Sequence, residues 1–199
     1  MPASTASSPS APSVHGKILE AADACFNRFG PAKTSMSDVA AAARISRGTV
    51  YRYFKDRDEL IAAYVDWTGD RFLELVRRRI DPLPTFEAQL TELAVLARAP
   101  QRALGAEFPV VKFPAETTAL MLTVHSDPLV RKSIDFLIPY IREARKRGEL
   151  RSSLDPREAA EWLAHVIFAV VDMPGVTFDA DRPADLRRFV RRYVVRGLV

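Results

Sequence analysis

The chain has 199 residues, of which 48% are hydrophobic and 27% are charged. This composition is typical of globular proteins, so it excludes a wholly disordered chain and supplies enough apolar residues for a substantial core. Lys and Arg number 29 against 25 Asp and Glu, which gives a net charge of only +4, so the position of the charges is more informative than their sum.

Single features of the sequence exclude several further classes of protein. Cys25 is the one cysteine, which excludes an internal disulfide and a cysteine-rich zinc site. The longest apolar stretch, residues 163–171, is interrupted by His165 and is far shorter than the ~20 residues that span a bilayer. No charged segment followed by an apolar one stands at the start of the chain, so we expect no signal peptide and a cytoplasmic protein.

Most of the chain has the pattern of an all-α protein. Residues 1–13 contain only Met, Pro, Ala, Ser and Thr, and we expect them to form a disordered tail. Beyond them, apolar residues recur at helical spacing, while proline and glycine fall between long segments. We expect two helical domains, residues 14–62 and residues 63–199.

Four helices are predicted before residue 81. The first ends at Gly30 and Pro31 and has its apolar positions at Ile18, Ala22, Cys25, Phe26 and Phe29. Ser35 and Asp38 form a capping-box pattern that starts a second helix over 36–43, with Met36, Val39 and Ala40 facing inward. Ser46 caps a third helix over 47–53, and a further capping pattern at 56–59 opens a fourth helix that runs to about Ile80.

Five more helices are predicted after the Asp-Pro-Leu-Pro segment at 81–84. They cover residues 85–103, 115–125, 128–147, 156–172 and 182–197. Asp155 followed by Pro156 is a strong helix start, because Asp caps a helix and Pro fits its first position. Pro139 lies inside the predicted helix 128–147, where we expect a kink.

Residues 35–57 read SMSDVAAAARISRGTVYRYFKDR, and this segment predicts a helix-turn-helix. Two short helices flank a tight turn, and small alanines let them pack closely. Between residues 44 and 57 there are five basic residues and one acidic residue, whereas residues 16–43 are balanced in charge. The positive charge therefore falls on the element that would enter the major groove of DNA.

The stretch from Ile18 to Tyr64 resembles the DNA-binding domain of the TetR family of transcriptional regulators. The resemblance rests on the Phe-Gly end of the first helix, the Ser-initiated second helix with its acidic cap, and Thr-Val-Tyr-Arg-Tyr-Phe on the third helix. Residues 148–162, GELRSSLDPREAAEW, resemble the family's entry into its penultimate helix more loosely. At residue 44 this chain has Arg where the family usually has Gly. A left-handed Arg costs roughly 1 kcal/mol, so Arg44 either takes that conformation or extends the second helix slightly.

The resemblance implies roles for individual residues on double-stranded DNA. Arg47 and Gly48 approach base edges, and Tyr51 lies against bases or thymine methyl groups. Phosphate contacts come from Thr49, Tyr53 and Lys55, and Ser35 and Ser37 add phosphate or base contacts at a helix N-terminus. Val50 and Phe54 face inward. The alternative for Tyr51 and Tyr53 is a packing role. Arg52 is interpreted as a solvated charge and not as a base reader, and the alternative for Arg57 is an ion pair with acidic residues on its own helix.

The last two predicted helices point to self-association. Residues 159–171 are apolar nearly all round, which requires burial on more than one side. In the TetR family the corresponding helices pair with their counterparts in a homodimer, which implies an interface that contains Trp162, Val166, Ala169, Val170, Leu186, Phe189, Val190 and Tyr193. An ordinary core within one chain, or a basic amphipathic helix on a membrane, are the alternatives.

The middle of the chain is rich in Phe, Leu and Met, and the resemblance implies that some of these residues line a cavity for a small apolar or amphipathic effector. The proposed lining is Phe86, Leu90, Leu93, Phe113, Met121, Val124, Phe136 and His165. Ordinary core packing is the alternative for each, and for His165 the alternative is a hydrogen-bonded core histidine.

Taken together, these patterns predict a dimeric regulator, acting as a repressor, that binds a palindromic operator and is released by a small molecule. A helix-turn-helix regulator controlled by a protein partner is the alternative. An all-helical enzyme or lipid carrier would need catalytic or carrier residues, and we find no catalytic motif, metal-ligand spacing or phosphate loop. We therefore expect no catalytic residue, no metal, no cofactor and no membrane partner.

Overall fold

The structure is a computed structural model that describes residues 13–99 and 126–199. These residues form eight α-helices and no β-strand, which confirms the all-α prediction. The helices are α1 (Val14–Phe29), α2 (Met36–Ala43), α3 (Arg47–Tyr53), α4 (Arg57–Ile80), α5 (Phe86–Arg98), α6 (Ser126–Lys146), α7 (Pro156–Asp172) and α8 (Pro183–Phe189). The chain divides into two compact units, Met1–Val65 and Asp66–Val199, and α4 contributes residues to both.

The first unit is built on α1, whose inner face packs against α2. The helix begins one residue after Ser13, whose hydroxyl accepts a hydrogen bond from the Gly16 N–H at 3.1 Å. It ends at Gly30, whose φ of 81° is a conformation that glycine adopts without strain. Phe29 was predicted to be buried, but it is exposed at the last position of α1, beneath the Arg28 guanidinium.

The side chain of Tyr64 joins α4 to α1 within the first unit. Its ring is fully buried and packs edge-on against Phe26, with 4.9 Å between the ring centres. Its hydroxyl donates a hydrogen bond of 2.6 Å to Oδ1 of Asp23. The buried hydroxyl is therefore satisfied by a carboxylate on α1, which fixes the position of the N-terminal half of α4 on this unit.

In the described part of the second unit, α4, α5, α6, α7, α8 and the C-terminal segment that follows α8 contribute to a common hydrophobic core. Val76, Phe86, Ile141 and Leu163 are each almost completely buried in it. The bounds of α7 agree with the prediction of 156–172, because Asp155 accepts hydrogen bonds from the backbone N–H groups of residues 157 and 158. Helix α6 continues through Pro139.

Two predicted helix bounds are wrong. Helix α5 ends at Arg98 instead of residue 103, because Ala99 precedes a proline and a residue in that position disfavours the helical conformation. The last predicted helix keeps α geometry only to Phe189, and then continues as a π-helical turn, Val190–Val194, and a 3₁₀ turn, Val195–Gly197. The tail is predicted over residues 1–13, but Ser13 is ordered as the cap of α1. Residues 1–12 of that tail and the predicted helix 115–125 lie outside the described residues.

Substituting Tyr64 tests the link between α4 and α1. Tyr64→Phe keeps the buried ring but leaves Asp23 without its donor, and we expect the free energy of unfolding to fall by roughly 1–3 kcal/mol. Tyr51→Phe is the matched control, since Tyr51 is exposed and should change stability by less than about 0.5 kcal/mol. Urea unfolding of both variants measures the difference, and equal stabilities would show that the hydroxyl has no structural role.

Candidate nucleic-acid interface

Helix α2 is started by two reciprocal hydrogen bonds between Ser35 and Asp38. The Asp38 N–H donates to the Ser35 hydroxyl at 3.2 Å, and the Ser35 N–H donates to the Asp38 carboxylate at 2.8 Å. The Ser35 hydroxyl also donates to the same carboxylate, and these bonds lower the pKa of Asp38. The capping box predicted from sequence is confirmed. Because folding lowers the pKa of Asp38, the stability that its carboxylate gives to the folded state is present at neutral pH. That stability is lost as the pH falls through the folded-state pKa.

The turn between α2 and α3 is closed by Arg44 in the left-handed conformation, with φ 55° and ψ 44°. The Arg44 N–H donates to the Ala41 carbonyl and the Ile45 N–H donates to the Ala40 carbonyl, each at 3.1 Å. This pair of bonds is a Schellman motif, which satisfies the last carbonyls of α2. Of the two alternatives for this residue, the left-handed turn is the one observed.

Helix α3 is anchored at its start and along one face. The Ser46 hydroxyl accepts a hydrogen bond from the Thr49 N–H at 3.1 Å and lies 2.9 Å from the Thr49 hydroxyl. Val50 and Phe54 are 0% and 2% exposed, as the sequence predicted. Only one face of this two-turn helix is therefore turned toward solvent.

The residues predicted to bind DNA lie mostly on that outer surface. Arg47, Gly48, Tyr51, Tyr53 and Lys55 are exposed. Thr49 and Ser37 are half-buried, while Ser35 is exposed and engaged in the capping box.

The cations of this surface are available to a ligand. Arg44, Arg47 and Lys55 form no ion pair with any described residue, whereas most ion pairs of the structure lie in the second unit. The alternative of an intrahelical ion pair for Arg57 is not the contact observed: its guanidinium donates to the Ala32 carbonyl at 2.8 Å and joins α4 to the turn after α1. Three cations without an ion pair thus lie together in sequence at the helix-turn-helix.

Nothing inside the domain requires glycine at position 48. Its φ is not positive, and an added Cβ would meet only the Ser46 hydroxyl oxygen, at an ordinary 3.8 Å. The absence of a side chain at this exposed site is instead consistent with close approach of an external molecule.

His15 makes ring contacts with Phe54 and Tyr53 that the sequence does not predict. Its ring centre lies 5.2 Å from that of Phe54 and 6.2 Å from that of Tyr53. Tyr53 has a second neighbour in Arg52, whose guanidinium lies 5.7 Å from the centre of the Tyr53 ring. Tyr53 is therefore held on the surface by two neighbours. No spacing rule connects residues on α1 and α3, so only the tertiary packing reveals this contact.

In the second unit, an apolar cavity of about 210 Å³ lies among α4, α5, α6 and α7. Of the predicted effector-binding residues, Leu93 and Phe136 line it, together with Gly69, Phe72 and Phe168. Leu90 and Phe86 are instead buried in the core cluster, where their side chains are almost fully covered.

The other predicted effector-binding residues are placed elsewhere. His165 is exposed and lines a separate, larger cleft, and one of its ring nitrogens lies 2.8 Å from the Glu161 carbonyl oxygen; the interpretation as a core histidine is therefore wrong. Phe113, Met121 and Val124 lie outside the described residues.

Lys132 lines the cavity and links α6 to α4. Its ammonium group lies 2.6 Å from a carboxylate oxygen of Asp66 and 2.6 Å from one of Asp70, and it also donates to the Asp66 carbonyl. Burial disfavours the ammonium form, but the bonds to the two carboxylates outweigh it and raise the pKa of Lys132. The cation is therefore neutralised from within the protein.

The residues assigned to a dimer interface divide into two groups. Trp162, Ala169 and Tyr193 are exposed, and Val166, Val170 and Phe189 are half-buried. Leu186 and Val190 are 1% and 0% exposed, so their assignment to an intermolecular surface is corrected. Both side chains belong to the core of their own chain, because α8 and the turn that follows it pack against α5.

Within residues 13–99 and 126–199, no three His, Cys, Asp or Glu side chains are grouped so that they could hold a metal ion. No helix in the same ranges has both the length and the apolar character needed to cross a membrane. Cys25 is buried, and this burial raises the pKa of its thiol. We therefore interpret Cys25 as a packing residue.

Comparison with known proteins gives matches at two levels. The family model for bacterial regulatory proteins of the tetR family matches residues 18–64. The HTH-type transcriptional repressor Rv3405c of Mycobacterium tuberculosis is 37% identical over 87 residues, which are 43% of this chain and 46% of that protein. The chain thus aligns with less than half the length of the curated relatives it matches first.

Solved structures match over a larger part of the chain. The TetR family repressor AlkX from Dietzia sp. strain DQ12-45-1b has a TM-score of 0.66 at 23% identity, covering 94% of this chain and 97% of AlkX, which shows a common fold. SmeT, the repressor of a multidrug efflux pump of Stenotrophomonas maltophilia, has a TM-score of 0.54 at 28% identity over 79% of this chain and 76% of its own, and has also been solved with triclosan. These matches show that residues 18–64 form a DNA-binding domain of the tetR family of bacterial regulatory proteins, and that the fold of the chain is shared with TetR family repressors such as AlkX.

Proposed function

We propose that this protein is a transcriptional repressor that binds double-stranded DNA through α3. The observation that carries the proposal is a recognition helix locked on its inner face by Val50 and Phe54, with unpaired cations on its outer surface. Such a helix fits the major groove, where base edges carry a distinct pattern of donors and acceptors.

The proposed DNA contacts are of two kinds: some read the base sequence, and the others position the protein on the duplex. The Arg47 guanidinium sits in the first turn of α3 and binds guanine, and Gly48 beside it lets the backbone come close. Thr49, Tyr53 and Lys55 hold phosphates, with Ser35 and Ser37 at the start of α2, and Tyr51 lies against bases or thymine methyl groups. Specificity then depends on few side chains, and the others set the register.

The protein acts as a homodimer on a palindromic operator. Trp162 and Tyr193 expose 42% and 60% of their surfaces, although large aromatic side chains are usually buried. Ala169 and Met173 add exposed apolar surface on or next to α7. A second copy of the chain would cover this surface by two-fold symmetry and place two recognition helices on one face of the DNA.

A small apolar or amphipathic molecule that enters the cavity of the second unit releases the repressor from DNA. The cavity is walled mainly by apolar side chains such as Phe72, Leu93 and Phe168. The complex of SmeT with triclosan supports a ligand of this kind. Such a ligand shifts the population only through its higher affinity for the conformation that does not bind DNA.

The DNA contacts are tested on a duplex selected by the wild-type protein from a random library. Arg47→Ala should lose about 1–3 kcal/mol of binding free energy and relax the base preference at one position in each half-site. Lys55→Ala should weaken binding to all sequences alike and make the salt dependence shallower by about one unit per half-site, because one fewer counterion is released.

Lys146→Ala is the control for these titrations, since Lys146 is an exposed cation on α6 of the second unit, where it pairs with Glu143 at 3.5 Å. It should leave the affinity and the salt dependence unchanged. If Arg47→Ala keeps both the affinity and the base preference of the wild type, α3 is not the reading helix.

Self-association is tested by charging one exposed aromatic residue. Tyr193→Asp should dissociate the dimer, because the new charge would be buried at the interface, while the exposed position spares the fold of each chain. Tyr51→Asp makes the same change on an exposed tyrosine of the first unit and should remain dimeric. Sedimentation at micromolar concentration measures both, and a monomeric wild type would refute the dimer.

The effector site is tested by filling the cavity from Gly69. A Cβ at Gly69 would meet Leu129 and Lys132 at 3.7 Å, so Gly69→Ala fits and should keep the response to ligand, whereas Gly69→Leu should fill the space and abolish it. The response is a higher melting temperature together with release of DNA by a lipophilic panel that includes triclosan and medium-chain alcohols.

Two results would contradict this effector site. In the first, Gly69→Leu responds to the panel as the wild type does, which places the ligand elsewhere. In the second, no member of the panel changes the melting temperature or DNA binding, which favours control by a protein partner.

A further inference from the structure

Arg44 has a positive φ, which among the other described residues is found only at glycines. Among the described residues it is the one non-glycine with positive φ, at 55°, while Gly30 and Gly148 take φ of 81° and 74°. A side chain in this region brings Cβ close to a carbonyl oxygen, so a glycine would relieve strain at residue 44.

The side chain of Arg44 offers no compensation within the protein. It is exposed, and it makes no hydrogen bond, ion pair or ring contact with any residue the structure describes. The hydrogen bond that closes the turn comes from the Arg44 backbone N–H, which a glycine would supply equally well. The guanidinium therefore adds strain and no folding contact, a pattern that is typical of a residue retained for binding.

The turn also places the guanidinium beside the proposed DNA surface. Arg44 lies two residues before the Ser46 cap of α3 and three before Arg47. The Schellman motif fixes its backbone, so the charge projects from a rigid point outside the helix that enters the groove. A cation at the edge of a recognition helix contacts the sugar-phosphate backbone beside the groove more readily than it contacts base edges.

We propose that Arg44 binds a DNA backbone phosphate next to the major groove that α3 reads. The proposal rests on the proposed function, since it assumes that α3 binds DNA. It assigns Arg44 to affinity for any duplex and not to sequence preference. It also accounts for a strained arginine at a position where glycine would give a more stable turn.

Three substitutions of Arg44 separate its charge from its strain. Arg44→Gly removes both, so the melting temperature should rise by about 3 °C while DNA affinity falls roughly tenfold per half-site at 0.1 M salt. Arg44→Ala removes the charge but keeps Cβ, so it should bind DNA as weakly as Arg44→Gly without the gain in stability. Arg44→Lys should keep the salt dependence of the wild type, and the other two should make it shallower by about one unit per half-site.

The experiment uses the full chain, the duplex selected by the wild type and single-base variants of that duplex. If Arg44→Gly retains wild-type affinity and salt dependence, Arg44 does not bind phosphate. If its loss is confined to one base position, Arg44 reads a base, and the phosphate assignment is wrong. If the melting temperature of Arg44→Gly does not rise above that of Arg44→Ala, the strain argument fails. A wild-type chain that selects no duplex would overturn the proposed function itself, a result distinct from the other three.

Discussion

The architecture of the proposed DNA surface depends on how a helix of two turns is kept in shape. Isolated helices shorter than about 12 residues are marginal in water, so α3 cannot rely on its own hydrogen bonds. The Ser46 cap fixes its start, and burial of Val50 and Phe54 fixes its rotation about its axis. Once the inner face is fixed, Arg47 and Tyr51 have only the outer surface to occupy. The exposure of Arg47 and Tyr51 is therefore a consequence of packing inside the first unit.

The second unit explains two sequence patterns that were ambiguous. Helix α7 is apolar nearly all round, and the structure divides this surface into an inner face with Leu163 and Ile167 and an exposed face with Trp162. The arginine-rich C-terminal helix is held by ion pairs to α5, namely Arg187 with Glu92 at 2.7 Å and Arg191 with Glu87 at 2.7 Å. Part of its positive charge is thus neutralised by ion pairs within the chain, which argues against the alternative of a basic helix on a membrane.

Local signals allowed much of the fold to be predicted. The bounds of α2, α3 and α7 follow from caps and turns that involve neighbouring residues, such as Ser35 with Asp38. The errors concern long-range packing: an amphipathic pattern shows that Leu186 has an apolar side, but not whether its neighbour is α5 or a second chain. The exposure of His165 and the contact of His15 with Tyr53 depend in the same way on residues distant in sequence. The end of α5 is different, because it follows from a local signal, the proline after Ala99.

Chemical protection of DNA tests most directly whether α3 reads the major groove. Dimethyl sulfate methylates guanine N7, which lies in the major groove, and adenine N3, which lies in the minor groove. On the duplex selected by the wild type, bound protein should protect guanine N7 in both half-sites, and Arg47→Ala should lose that protection at one guanine in each. Protection confined to adenine N3, or an N7 pattern that Arg47→Ala leaves unchanged, would contradict the account.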